Sequence, residues 1–185
     1  MALRALALSV ICLLPAALRA TVLLPAEFRE IVNGSDIIAY GRVTETRVEW
    51  SDDRKNVDTL VTFQVGTYLK GGPGEALVFK VPGGTIGRYR NVLVGAPQFN
   101  TGDEAVLFLN SRGRELPSVF GLNQGVFRVS LDTDTRRRMV TPPLLARGDT
   151  PEVVVRGAAS RRSLPLETFG AEVLTVLRET PRGAR

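Results

Sequence analysis

The sequence predicts a mainly β domain: a small closed barrel of five strands, with a short helix before it and an amphipathic helix after it. Three observations carry this. β-prone residues recur at the two-residue period of strands, most cleanly at Val57, Thr59, Val61, Phe63 and Val65. Glycine and proline clusters punctuate the chain at Lys70-Gly71-Gly72-Pro73-Gly74, Pro82-Gly83-Gly84, Gly95-Ala96-Pro97 and Gly102-Asp103. Helical periodicity is confined to the two ends.

The first twenty residues stand apart. Arg4 precedes an apolar run from Ala5 to Leu14, and Ala16-Ala17-Leu18-Arg19-Ala20 follows Pro15. A charged start, a short apolar core and a small final residue predict a secretory signal peptide over 1–20, cut between Ala20 and Thr21. The run is shorter than the roughly 20 residues that span a bilayer, so no membrane anchor is expected. Cys12 is the only cysteine and lies within this segment. Ile11 precedes it where a lipoprotein signal needs a small residue, so no lipid anchor is expected either. An exported chain without disulfides fits a bacterial periplasmic or secreted setting, held together by packing alone.

Residues 21–180 then form one domain, long enough for a real core, with 181–185 a frayed tail. Pro25 to Asn33 reads as a short helix, with Phe28, Ile31 and Val32 on one face and Asn33-Gly34 as its stop. A long strand follows, Ile37 to Trp50. Ile37, Ala39, Gly41 and Val43 share one face, whereas Val48 and Trp50 fall on the opposite phase, which predicts a β-bulge or bend. Small residues at Ala39 and Gly41 let the strand coil closely against its neighbours. The strand from Val57 to Leu69 pairs as a hairpin with Ala76 to Val81. A short strand is expected at Val92–Val94. Ala105 to Leu109 is apolar throughout, as in a strand buried on both faces. Val119 to Leu131 is broken by Gly121 and Gly125, and its best part puts Phe127, Val129 and Leu131 on one face. Met139-Val140 and an edge strand at Glu152 to Arg156 complete the set. Ser163 to Glu179 is the second helix, with Leu166, Phe169, Val173, Val176 and Leu177 in one stripe and Ser163 as its N-cap.

About five substantial strands, a bent first strand and flanking helices fit a barrel of the OB type. Asn33-Gly34-Ser35-Asp36-Ile37 to Val43, the strand Val61 to Gly71, and Ala76 to Val81 resemble the opening of the tissue inhibitors of metalloproteinases and related netrin-type modules. The Gly102-Asp103-Glu104 turn into Val106-Leu107-Phe108-Leu109 resembles that family's glycine turn into a leucine-rich strand. The whole chain also resembles uncharacterised exported bacterial proteins that share this F-x-x-G-[DE]-E-x-V-L-F-L segment. The resemblance implies an OB barrel and a secreted metalloprotease as partner. In the animal inhibitors a Cys-x-Cys start chelates the protease zinc. Thr21-Val22-Leu23 occupies that place here, so Thr21, Val22 and Leu23, with Tyr89, are the candidate partner-binding residues.

The chemistry open to the chain is narrow. It contains no histidine, and no cysteine follows the signal, which excludes histidine triads, cysteine nucleophiles and the usual zinc sites. Neither a P-loop nor a dinucleotide fingerprint occurs among the glycines, and no Ser-x-x-Lys occurs. Asp52-Asp53 and Asp132-x-Asp134 are close acidic pairs that read as solvated turns. Formal charge is +5, and without Arg4 and Arg19 it is +3, too mild to demand a polyanion. Arg136-Arg137-Arg138 lacks the interleaved aromatics of a nucleic-acid surface. The expectation is an exported, non-enzymatic module without cofactor or metal that binds a secreted protease or another exported protein. The alternative is a small-ligand or glycan binder that stacks on Trp50 and Tyr89.

Overall fold

The structure, a computed structural model, describes residues 25–51, 53–72, 74–143 and 162–180. The signal segment expected up to Ala20, the candidate residues Thr21-Val22-Leu23 and the edge strand expected at Glu152 to Arg156 lie outside them.

The sequence-predicted barrel is present. Strands β1 (Ile37–Trp50), β2 (Val57–Lys70) and β3 (Ala76–Pro82) form an antiparallel meander. Two short strands, β4 (Gly84–Ile86) and β5 (Tyr89–Asn91), make a separate hairpin over the far ends of β1 and β2. β6 (Glu104–Asn110) returns beside β1, and β7 (Ser118–Val119) bridges β6 to β3. The order β1-β2-β3-β7-β6 therefore closes on itself through the β1–β6 pairing. Three further strands extend the sheet beyond β6: β8 (Val126–Leu131), β9 (Arg138–Thr141) and β10 (Leu164–Pro165).

The phase change in β1 is real. Its register against β2 slips at three places, between Ile38 and Ala39, Tyr40 and Gly41, and Val43 and Glu45. These bulges coil β1 so that one strand touches β2 along its whole length and β6 along its first half. At Gly41 the coiling is closest: a Cβ there would sit inside the Gln64 carbonyl and 2.8 Å from a Phe63 ring carbon.

Alternation along β1 and β6 feeds two cores. Ile37, Ala39, Val43, Ala105, Leu107 and Leu109 point into the barrel with Phe63 and Phe79. Ile38, Val106 and Phe108 point outward and join Phe127, Val129 and Val140 in a second core. Two helices cover it, α1 (Phe28–Gly34) and α2 (Leu166–Glu179). Phe28 and Phe169 lie edge-on or tilted against Phe108 and Phe127, with ring centres 5.0 to 6.3 Å apart.

The Asn33-Gly34-Ser35-Asp36 stretch is a latch between α1 and the barrel. Ser35 Oγ donates to Ile31 O at 2.7 Å, and Asp36 accepts from the Ser111 amide at 2.9 Å. Asn33 accepts from Thr180 at the end of α2, and Lys70 Nζ reaches the Val32 and Asn33 carbonyls.

Several boundaries differ from expectation. α1 starts at Phe28 rather than Pro25, where the Glu27 amide donates to Glu30 Oε2 at 2.8 Å. It stops without a left-handed residue. Gly34 is needed for room, because a Cβ would sit 2.7 Å from the Phe120 ring. Ser163 is not the N-cap of α2: Leu164 and Pro165 first pair with β9, and Pro165 takes the capping position. Val92–Val94 form no strand; the paired residues are Gly84–Ile86 with Tyr89–Asn91. The break at Gly121 and Gly125 is a six-residue excursion, Phe120–Gly125, between β7 and β8. Both of its ends bond Phe108 of the same neighbour, β6.

Candidate functional site

Two surface features could engage a ligand. The first continues the outer face of the β1-β6-β8-β9 sheet. Register pairs Ile38 with Phe108, Tyr40 with Val106, and Arg42 with Glu104. On the far side, Val106 faces Phe127, Glu104 faces Val129, and Leu131 faces Arg138. The helices cover the apolar rows. Where those rows end, Arg42, Leu131 and Arg138 stand open around a cavity of about 400 Å³, lined also by Asp103, Glu104, Arg128 and Val129.

Glu104 is the centre of this cluster. Arg42 Nη2 donates to its Oε1 at 2.5 Å, while Arg138 Nε and Tyr40 Oη donate to its Oε2 at 3.1 and 2.8 Å. Its side chain is only 16% exposed. That burial works to raise its pKa, but the hydrogen bonds from Arg42, Tyr40 and Arg138 outweigh it and hold the carboxyl below its ordinary range. Burial, then the bond to Glu104, pushes the Tyr40 phenol up. Glu104 is thus locked as an anion and is unsuited to moving a proton near neutral pH. Beside it, Arg128 Nη1 donates to Asp103 at 2.6 Å, Arg128 Nη2 donates to the Gln98 carbonyl, and the guanidinium lies 4.9 Å from the Phe99 ring centre.

The second feature is an apolar rim. Tyr89, at the tip of the β4–β5 hairpin, packs on Trp50 with ring centres 4.8 Å apart and planes tilted by 38°. The two candidate stacking residues are thereby brought together, 42% and 40% exposed. At the base of the same hairpin Val92, Leu93 and Val94 project into solvent, Val94 at 89% exposure. The three apolar residues expected to pair as a strand instead form an uncovered ridge.

The acidic pairs take up turn roles. Asp53 accepts from Ser51 Oγ and the Lys55 amide, and Asp132 caps the β8–β9 turn through the Asp134 and Thr135 amides. Asp52 lies outside the described residues. Among the described residues, no group of three or more His, Cys, Asp or Glu is placed to hold a metal ion, and no helix is long and apolar enough to cross a membrane. Sequence reasoning missed Arg42, Asp103, Glu104, Arg128 and Arg138. The signal available was Arg42 on the phase of Ile38 and Tyr40, and Glu104 at the head of an apolar strand.

No known protein family matches the chain, and no curated protein is detectably similar to it.

Proposed function

We propose that the chain is an exported, non-enzymatic module that docks another protein through the apolar rim at the β4–β5 hairpin. The observation that carries this is one hairpin with the exposed ridge Val92-Leu93-Val94 at its base and the exposed Trp50–Tyr89 pair at its tip. Apolar side chains grouped in this way on a small domain are a hallmark of interaction surfaces, and aromatic anchors dominate such contacts. A secreted metalloprotease is the first partner class to try. The support for it is the resemblance of the Asn33 to Val43 and Val61 to Gly71 segments to the metalloproteinase inhibitors, together with the OB-like barrel.

The test is binding of the full mature chain to purified secreted zinc proteases, with proteolysis measured in parallel. Saturable binding that Val94→Asp and Tyr89→Ala each weaken at least about tenfold, while Glu172→Gln on α2 leaves it unchanged, is the expected result. Failure of every protease to bind, or binding indifferent to both rim changes, overturns the reading. A second reading is a glycan or small-ligand platform, favoured by the tilted Trp50–Tyr89 pair alone. Thermal stabilisation by a sugar or lipid panel that Trp50→Ala abolishes would select it instead.

A further inference from the structure

We propose that the cavity beside Glu104, independently of the apolar rim, binds a single carboxylate carried next to a branched apolar group. The argument begins with how the arginines are held. Arg42 grips one oxygen of Glu104 and Arg138 grips the other, so the two guanidiniums stand one carboxylate apart. Each gives Glu104 a single N–H rather than a bidentate fork. Their remaining N–H groups have no protein acceptor among the described residues. A second carboxylate can bridge the same pair from the solvent side as Glu104 does from the sheet side.

The framework is rigid. Arg42 and Glu104 are register partners in the barrel wall. Arg138 is set by a tight turn in which Asp132 caps two amides and its own amide bonds the Arg137 carbonyl. The arginines need little reordering on binding, which lowers the entropic cost.

Charge fixes the valence of the ligand. The lining holds Arg42, Arg128 and Arg138 against Asp103 and Glu104, one positive charge in excess. A monoanion balances that excess, whereas a dianion such as sulfate overshoots it and leaves the filled site net negative. Shape fixes the rest. Val129 and Leu131 form an apolar wall beside the guanidiniums, and Leu131 is 56% exposed. A branched aliphatic group seated there would cover it. The end of a peptide chain and a free short branched acid both carry this chemistry.

The experiment uses the full mature chain, labelled with ¹⁵N, and follows backbone amides by NMR during titration with N-acetyl-leucine, N-acetyl-leucinamide, 4-methylpentanoate and sodium sulfate. The expected result is saturable shifts at residues 102–104, 128–131 and 138 with the first and third probes only. Arg42→Gln and Arg138→Gln each weaken binding about tenfold, the loss expected for one charge-assisted hydrogen bond. Leu131→Ser weakens it less. Stronger binding of N-acetyl-leucine than of 4-methylpentanoate assigns the site to chain ends, and equal binding assigns it to free acids. Equal shifts with the leucinamide, shifts elsewhere on the barrel, or full binding by the arginine variants with unchanged spectra overturn the proposal.

Discussion

Adding one methyl group to the β1–β2 seam has opposite consequences at two glycines. At Gly41 a Cβ would overlap the Gln64 carbonyl oxygen and approach its carbon to 3.0 Å. Those are backbone atoms of the neighbouring strand and cannot rotate aside, so β1 and β2 must part at this point of the seam. Overpacking of this kind costs about 1–3 kcal/mol, and the backbone obstruction puts Gly41→Ala at the upper end. Replacing glycine in a strand returns about 0.5–1 kcal/mol through the unfolded chain, which leaves a net loss of about 2 kcal/mol. Gly66, on the same strand pair, faces open contact: its Cβ would lie 3.6 Å from the Tyr40 ring, and its φ is not left-handed. Gly66→Ala should therefore stabilise by about 0.5 kcal/mol. Urea unfolding of the two variants reads the difference. With a slope of about 1–3 kcal/mol per molar, the two midpoints should differ by about 1 M or more. A Gly41→Ala midpoint at or above that of Gly66→Ala refutes the claim that close strand approach at Gly41 shapes the barrel.

Two further outcomes probe the outer core and the ion cluster. Phe169→Ala removes a buried ring that packs on Phe28, Phe108 and Phe127, and should cost about 3–5 kcal/mol in urea unfolding, whereas Leu174→Ala on the same helix should stay within about 0.5 kcal/mol. Glu104→Gln should cost about 1–3 kcal/mol at pH 7, because Arg42, Arg138 and Tyr40 lose a charged acceptor. The folded pKa of Glu104 is depressed, so its contribution is complete above the unfolded value of about 4.5 and is lost as pH falls through the lower folded value. The gap between wild type and Glu104→Gln in unfolding free energy should thus be constant above about pH 5 and narrow below pH 4.5; a gap that widens on acidification contradicts the assignment.

Local pattern made most of the barrel legible. The period-2 alternation of Val57 to Val65 and the phase change after Val43 are each read within one strand, and both are realised, β1 with the expected bounds and β2 one residue longer, to Lys70. The continuous apolar run Ala105 to Leu109 signalled burial on both faces, and β6 does divide its side chains between two cores. What covers its outer face was not legible. Phe28 and Phe169 meet over Phe108 from opposite ends of the chain. Val92–Val94 misled because β-branched composition reports strand propensity and not the presence of a partner strand. The hairpin beside them was signalled weakly, by Gly87-Arg88 as a two-residue loop between Ile86 and Tyr89, with Gly87 at φ +58°. The ion cluster required register. Arg42 and Glu104 become neighbours only when β1 and β6 pair at one particular offset, and nothing local to either segment fixes it.

That offset also decides where a ligand site can lie. Shift β6 by two residues along β1 and the outer face keeps its alternation, but Glu104 would face Tyr40 or Thr44 and the arginine pair would lose its shared anchor. The latch residues fix the offset at the other end: the Asp36 amide donates to the Leu109 carbonyl at 2.8 Å, and the Asp36 carboxylate accepts from the Ser111 amide. The Asn-Gly-Ser-Asp stretch, which has no reactive chemistry of its own, thereby sets the alignment of Arg42 with Glu104 six residues beyond Asp36. Replacing Asp36 by alanine tests this directly. The Ser111 contact disappears, and the amides around Glu104 should broaden or shift although no atom of the cluster has changed.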